Sequence, residues 1–351
     1  MKVLFTHERF PPSFGGGGEY LVSRAAKNLR ERGVDVRVLT TGDPGNCSWE
    51  GVPVARVPVH RYLFNLAAPI VARHARDCDL IQTFNFHACA PSWLAGKWLG
   101  KPVVWLCLGV SGGAWKEMKG RFAGPAYQSV ERWQLKRAFS QTVFLTQENL
   151  ESAPPNADAG RRIVIPPAIE VDQCDPNRPK EPVVLFASKL DVRKRFEQVL
   201  EMAKRLPHVK FRMLGWGAGE RTVRAMALPN LEFSGFLEGQ EFRDAFAGAS
   251  IFLLPSRAEG FPLVLLYAMA SGCAVISTQN LEYHGLRFAV DDIDSMAAAI
   301  VRLWRDPELC REMGRGNAEL ASSYTWDAFT DSLLNVYEQV LQARGLCGGE
   351  S

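Results

Sequence analysis

An α/β protein built on two doubly wound parallel sheets is the fold class that the sequence predicts, and three observations predict it. Short, largely apolar runs such as Lys2–Thr6 (KVLFT) alternate with amphipathic stretches. This is the pattern of strands buried on both faces and joined by covering helices. The alternation breaks in a proline-rich stretch and then starts again. The 351 residues suffice for about two domains of roughly 150 residues each.

The first strand is Lys2–Thr6. Glu19–Arg32 then carries Leu21, Val22, Ala25, Ala26 and Leu29 at a helical period, and Gly33 closes the helix. Val34–Thr40 (VDVRVLT), Leu80–Phe84, Pro102–Leu108 and Gln141–Thr146 read as further strands of one domain. Prolines gather near Pro154 and again over Pro166–Pro182, which sets the linker at 166–180. Strands restart at Val183–Ala187 (VVLFA), Lys210–Leu214 (KFRML), Leu231–Ser234, Ile251–Leu254 (IFLL) and Ala274–Ser277 (AVIS). Helices fall between them, including Phe196–Arg205 and Leu263–Ser271. Three more helices follow: Asp294–Trp304, Pro307–Ser322 and Trp326–Ala343. Such sheets bind ligands at the carboxyl ends of their strands. Two such domains are expected to face each other across a ligand cleft.

Hydrophobic residues at 47% and charged residues at 23% are those of a globular chain, which excludes disorder, and no heptad persists to make a coiled coil. No run of about 18 apolar residues is present to span a membrane. MKVLFTHERFPP turns charged and proline-rich too early for a signal peptide. The eight cysteines form no CxxC pair, so reduced thiols and a cytoplasmic setting are expected. The net charge is +3, but residues 1–165 hold 21 Lys/Arg against 13 Asp/Glu and residues 166–351 hold 20 against 25. A basic front half suits an anionic partner, although ordinary solvated charges give the same count.

Two loops carry chemistry. Gly15-Gly16-Gly17-Gly18 lies between the first strand and its helix, where backbone N–H groups and the helix dipole suit a diphosphate. A flexible turn is the plain alternative. The G-x-G-x-x-G spacing fails here at Tyr20, and it fails again after Gly215 at Glu220, so a dehydrogenase is disfavoured. The second loop follows the Ile251–Leu254 strand. It carries the carboxylate of Glu259, and a helix begins near Pro262. A carboxylate there can accept hydrogen bonds from hydroxyls, while the helix N–H groups can hold phosphate.

The segment Glu259-Gly260-Phe261-Pro262-Leu263-Val264-Leu265-Leu266-Tyr267-Ala268-Met269-Ala270-Ser271-Gly272 resembles the signature of the retaining nucleotide-sugar glycosyltransferases of family four, E-G-F-x-L-x-x-x-E-A-M-A-x-G. The resemblance covers nearly the whole chain. It includes the glycine-rich first loop, Asp79-Leu80-Ile81-Gln82, Gly100-Lys101-Pro102-Val103-Val104 and Tyr324-Thr325-Trp326. It implies the GT-B fold, with an acceptor-side domain at 1–165, a donor-side domain at 166–323 and a helix at 324–345 that crosses back to the first domain. Ser188-Lys189-Leu190-Asp191-Val192-Arg193-Lys194-Arg195 resembles the family's G-R-L-x-x-x-K-G, with Lys189 in place of Arg. Two cations at this spacing can neutralise a diphosphate leaving group as its charge develops. Lys189 lacks the bidentate fork of Arg, however.

The resemblance implies that Glu259, Lys194 and Lys189 are the catalytic set. The donor would lie against Gly15, Gly16, Gly17, Gly18, Gly215, Gly260, Phe261, Leu263, Val264 and Tyr267. Two departures stand out. Tyr267 replaces the carboxylate that the family turns to the donor ribose, and a phenol offers one oxygen where a carboxylate offers two. Leu108 replaces a His that often meets the donor sugar. His7, His87 and Trp115 are the acceptor-side candidates, and a lone His is more often structural. The Thr278–Gly285 stretch reads as shorter than the family's phosphate-touching loop.

Trp115–Arg137 mixes Trp115, Phe122, Tyr127 and Trp133 with six Lys/Arg and two Glu. That chemistry suits peripheral contact with anionic lipid, and equally a packed helix with a solvated basic face. No recognition motif supports nucleic acid as a partner. The expected activity is retaining transfer of a sugar from a nucleotide diphosphate sugar to a hydroxyl acceptor, without cofactor or metal. Asp291-Asp292-Ile293-Asp294 is explained by helix capping. The alternative class is a catalytically degenerate GT-B protein that binds a ligand or partner. An epimerase or phosphorylase on the same fold is a third reading.

Overall fold

The structure is a computed structural model, and it describes residues 1–13, 16–155, 161–257 and 259–345. The chain divides into two compact units. The first holds residues 1–115, 125–168 and those from Trp326 onward; the second holds 116–124 and 169–325.

The first unit is built on an eight-stranded sheet. Its strands are β1 (Lys2–Thr6), β2 (Asp35–Thr41), β3 (Ser48–Trp49), β4 (Val52–Val57), β5 (Leu80–Phe84), β6 (Val103–Cys107), β7 (Gln141–Phe144) and β8 (Arg162–Val164). Their order is β3-β4-β2-β1-β5-β6-β7-β8. Every pairing is parallel except the short β3–β4 ribbon. All five residues of β5 and of β6 are buried, as a central parallel strand requires. The covering helices are α1 (Gly17–Glu31), α2 (Ala68–Ala75), α3 (Cys89–Leu99), α4 (Trp115–Leu135) and α5 (Gln147–Ser152). Helix α4 is two pieces, because Gly120 takes φ 79° and ψ 174° inside it, and its residues 116–124 are grouped with the second unit.

The second unit has a six-stranded, wholly parallel sheet. Its strands are β9 (Glu181–Ala187), β10 (Lys210–Leu214), β11 (Leu231–Gly235), β12 (Ala249–Leu254), β13 (Ala274–Ser277) and β14 (Gly285–Arg287), in the order β11-β10-β9-β12-β13-β14. Helices α6 (Phe196–Arg205), α7 (Glu220–Met226), α8 (Gly239–Gly248), α9 (Leu263–Ala270), α10 (Ile293–Arg305) and α11 (Pro307–Ala321) join them. Phe186, Phe211, Met213, Ile251, Met296 and Ile300 are among the buried residues of its core.

The last helix, α12 (Trp326–Gln342), belongs to the first unit. Asp327 and Asp331 each pair with Arg32 at the end of α1, both at 2.6 Å. The buried phenol of Tyr337 donates to Gln82 Oε1 of β5 at 2.9 Å. Among the described residues, no helix is long and apolar enough to cross a membrane. The described cysteines are free thiols.

Candidate active site

The loops at the carboxyl ends of β9, β10, β12 and β13 gather most of the expected donor-side residues on one edge of the second sheet. After β9, the chain turns through Ser188–Leu190 and a short 3-10 helix at Val192–Lys194, which the Asp191 side chain caps by accepting the Arg193 N–H at 3.1 Å. The turn presents Lys194 to the loop after β12, where its ammonium pairs with the carboxylate of Glu259. Only 15% of the Lys194 side chain and 9% of the Glu259 side chain are exposed, so the pair is largely withdrawn from water. The two residues expected to hold different parts of a donor therefore touch each other.

The cations around this pair are otherwise engaged. Arg193 pairs with Asp191 at 3.0 Å, Arg195 with Asp291 at 3.3 Å, and Arg257 with Glu117 at 3.1 Å. Lys189 is half-buried and, among the described residues, has no carboxylate within ion-pair reach. It is the cation with charge to offer an anion.

Gly215 follows β10 and packs on the Lys189 turn. A Cβ at Gly215 would stand 2.0 Å from the Ser188 carbonyl oxygen, and one at Gly219 would stand 2.4 Å from the Phe196 ring. The Leu190 N–H donates to the Trp216 carbonyl at 2.8 Å. These glycines let two loops lie against each other.

Gly260 and Phe261 lead into α9, whose N-cap is Pro262 and which no side chain caps. The first-turn N–H groups of Leu263 and Val264 are thereby left for an anion. Ser256, ahead of Glu259, is anchored from β13. Its carbonyl accepts from Gln279 Nε2 at 2.6 Å and from the Thr278 hydroxyl. The segment after Ser277, which reads as a shortened loop, runs as irregular chain to β14, which pairs with β13.

Tyr267 lies in α9, 9% exposed, with its ring 5.1 Å from Phe242 and 6.1 Å from Phe246. Its hydroxyl donates to Glu170 Oε2 at 2.8 Å. Sequence reasoning missed Glu170, which lies 97 residues away.

In the first unit, Gly16 is the N-cap of α1, Gly17 opens the helix, and Gly18 faces Leu108, whose Cδ1 would be 3.1 Å from a Cβ there. Gly15 lies outside the described residues. His7 is buried, with Nδ1 accepting the Arg9 N–H at 3.1 Å and its ring edge-on to Phe84. His87 and Trp115 share a neighbour: the Tyr127 ring is 6.4 Å from His87 and 5.0 Å from Trp115, stacked on the latter. His87 Nδ1 also meets Asn65 Nδ2 at 2.8 Å.

Trp115 is only 3% exposed, which removes it from the lipid-facing aromatics expected in 115–137, whereas Phe122 is 84% and Trp133 38% exposed. Two further polar anchors escaped the sequence reading. Asn85 Oδ1 accepts from the Leu108 N–H and from Trp105 Nε1, both at 3.1 Å. The buried Glu131 accepts from the Ser111 and Gly112 N–H groups at 2.8 Å. Desolvation raises the Glu131 pKa, and the two N–H groups work against that rise.

Known proteins share this layout. Residues 15–168 match the family model described as glycosyl transferase 4-like domain, and residues 181–306 match glycosyl transferases group 1. The chain belongs to the GT4-type glycosyltransferases. It is 25% identical over 170 residues to a sulfoquinovosyl transferase of Arabidopsis thaliana, covering 45% of this chain and 33% of that protein. The chain spans less than half the length of the first curated relatives it matches. Among solved structures, a sucrose-phosphate synthase of Thermosynechococcus elongatus superposes with a TM-score of 0.80 at 21% identity, over 97% of this chain and 99% of that one. The HepE protein of Anabaena in complex with UDP gives 0.78 at 17% identity, over 97% and 100%. The fold of this GT4-type chain is therefore GT-B, with two Rossmann-like parallel-sheet domains.

Proposed function

We propose that the chain is a retaining, metal-independent glycosyltransferase that moves a sugar from a nucleoside diphosphate sugar to a hydroxyl acceptor. The observation that carries this reading is the Glu259–Lys194 pair at the sheet's carboxyl edge, in a loop that leads into the uncapped start of α9. Positive charge and backbone N–H groups converge where a diphosphate would leave, and one carboxylate lies within reach to hold sugar hydroxyls. The lysines and the helix dipole supply the electrostatic stabilisation, so the reading requires no metal. The UDP in the Anabaena structure supports a nucleoside diphosphate as the ligand class.

In this reaction the bond between the anomeric carbon and the diphosphate oxygen breaks, and the acceptor oxygen attacks from the same face. The acceptor proton passes to the departing diphosphate. Glu259 orients the sugar, and Lys189 and Lys194 take the growing charge on the leaving group.

A thermal-shift panel of UDP, GDP, ADP, CDP and dTDP tests the reading. The matching nucleotide at a hundred times its Kd raises stability by about 2.7 kcal/mol. The corresponding nucleotide-sugar then turns over in the presence of cell extract. Binding without turnover would instead support a degenerate, ligand-binding protein, and no response to any of the five would reject the donor site.

The two lysines are expected to differ. Lys189→Ala removes a charge-assisted contact and weakens binding by about 1.5–3 kcal/mol at low salt, less as salt rises. Lys194→Ala weakens it more, because Glu259 then faces the diphosphate uncompensated. Calorimetry showing unchanged affinity in both variants would refute the assignment.

A further inference from the structure

We propose that the helical layer on one face of the first unit's sheet docks on an anionic lipid bilayer. The proposal does not use the donor site.

The layer is one-sided inward. Phe64 of the 3-10 turn Arg61–Leu66, Val71 of α2, Ala95 of α3 and Leu135 of α4 share one core with Leu4, Ile81 and Trp105 of the sheet. The turn and the three helices therefore cover the same sheet face, and α3 packs against both α2 and the turn. Their other sides meet solvent, where polar residues are expected. Apolar side chains stand there instead. Leu63 is 52% exposed, Leu66 76% and Trp98 59%, and Ile70, Val130 and Trp133 are exposed as well. With Tyr62 they are seven of the twelve large apolar side chains exposed among the described residues. Single exposed apolar residues are ordinary, whereas their concentration on one layer marks a contact surface.

Charge adds a second, independent observation. Residues 58–101 and 125–137, which supply the layer, hold eight Lys/Arg against three Asp/Glu. Each of the three carboxylates is engaged elsewhere. Asp77 pairs with Arg37 of β2 at 2.7 Å, and Asp79 accepts the Lys2 backbone N–H at 2.6 Å. Glu131 is buried and accepts the Ser111 and Gly112 N–H groups. The charge that the layer turns outward is thus positive. Part of it is interleaved with indoles. The Lys97 ammonium lies 4.3 Å from the centre of the Trp93 ring, and the Arg137 guanidinium 4.7 Å from that of Trp133. The two rings meet edge to face at 5.8 Å and so join α3 to α4.

The mixture selects the occupant. Nucleic acids and acidic polysaccharides are held by charge, hydrogen bonds and ring stacking, and Leu63, Leu66 and Ile70 supply none of these. A bilayer takes both parts at once. Aliphatic side chains and indoles enter the boundary below the headgroups, and the cations remain at the phosphates. A second copy of this chain seated on the layer would bring like charge against like.

The full chain is co-sedimented with vesicles of phosphatidylcholine alone and of phosphatidylcholine with about a third phosphatidylglycerol, each at low and high salt. Wild type is compared with Leu63→Ser/Leu66→Ser and with Arg132→Ser/Lys136→Ser, and thermal melts check folding. Wild type is expected to bind the anionic vesicles at least about tenfold more strongly than the neutral ones at low salt, and to lose most of that advantage at high salt. Each double variant weakens binding about tenfold or more and melts as wild type does, because the replaced side chains are exposed. No binding to either vesicle, or equal binding to both, would overturn the proposal. Binding that survives in both double variants would place the contact elsewhere and overturn it too. Self-association that the leucine variant abolishes, without vesicle binding, would give the layer to a second copy of the chain and likewise overturn it.

Discussion

Glu259→Gln lowers kcat about ten- to a hundredfold and leaves the fold standing. The side chain keeps its shape, so the loop after β12, anchored by Thr278 and Gln279 on Ser256, has no reason to move. What changes is charge. A carboxylate that accepts from a substrate hydroxyl contributes about 1.5–3 kcal/mol more than a group that cannot, and each 1.36 kcal/mol is about tenfold in rate. The substitution also strips Lys194 of its partner at a site where both side chains are mostly buried. A modest loss of melting temperature is therefore expected alongside the rate loss. The double variant Lys194→Gln/Glu259→Gln separates the two effects. It recovers stability, because no uncompensated charge remains, but it does not recover rate. The measurement is steady-state turnover of the nucleotide-sugar that the panel identifies. Wild-type kcat in Glu259→Gln would remove this residue from the chemistry.

The largest stability effect is expected at Gly215→Ala. The added methyl would stand 2.0 Å from the Ser188 carbonyl oxygen and 3.3 Å from Leu190 Cδ2, and the residue has φ 156°. Neither neighbour is the free end of a flexible chain, since Ser188 continues directly from β9 and Leu190 is buried. The two loops must separate, at a cost of about 3 kcal/mol, the upper range of ordinary single substitutions. For a unit of this size that corresponds to a melting temperature about 6–12 °C lower. Because the displaced turn carries Lys189, nucleotide affinity falls as well. Gly113→Ala is the control: nothing lies within 4 Å of a Cβ there. An unchanged melting temperature in Gly215→Ala would show that the loops are not packed as described.

The strands that the sequence made legible are those buried on both faces. VVLFA, IFLL and AVIS have no second reading once the intervening helices are seen, and their order along the chain implies parallel pairing. Strands β3, β4, β8 and β14 escaped. Val52–Val57 alternates buried with more exposed residues, and the other three are two or three residues each, too short for a period to emerge. The site divides in the same way. Glu259 and the lysines were readable because each belongs to a local motif. Their pairing was not, because ion pairs across 65 positions leave no spacing signal. Tyr267 looked like a lost carboxylate, since the helix register says which face a side chain takes but not what meets it. Glu170 comes from the linker, where composition predicts only irregular chain. Asn85 and Glu131 act by holding backbone, and any polar residue in a loop looks the same in sequence until the N–H groups it serves are located.

Helix α12 has a consequence for the order in which a ribosome can complete this molecule. The second unit's sheet is fully synthesised before Trp326 is added, and it can fold as soon as its strands emerge. The first unit, begun earlier, must wait. Gln82 sits fully buried in β5, and the phenol that meets its Oε1 arrives 255 residues later. Arg32 likewise waits for Asp327 and Asp331. Phe329, Leu333 and Val336 are buried only once that helix is in place. The unit whose strands come earlier in the chain therefore gains these partners later than the other unit gains its own.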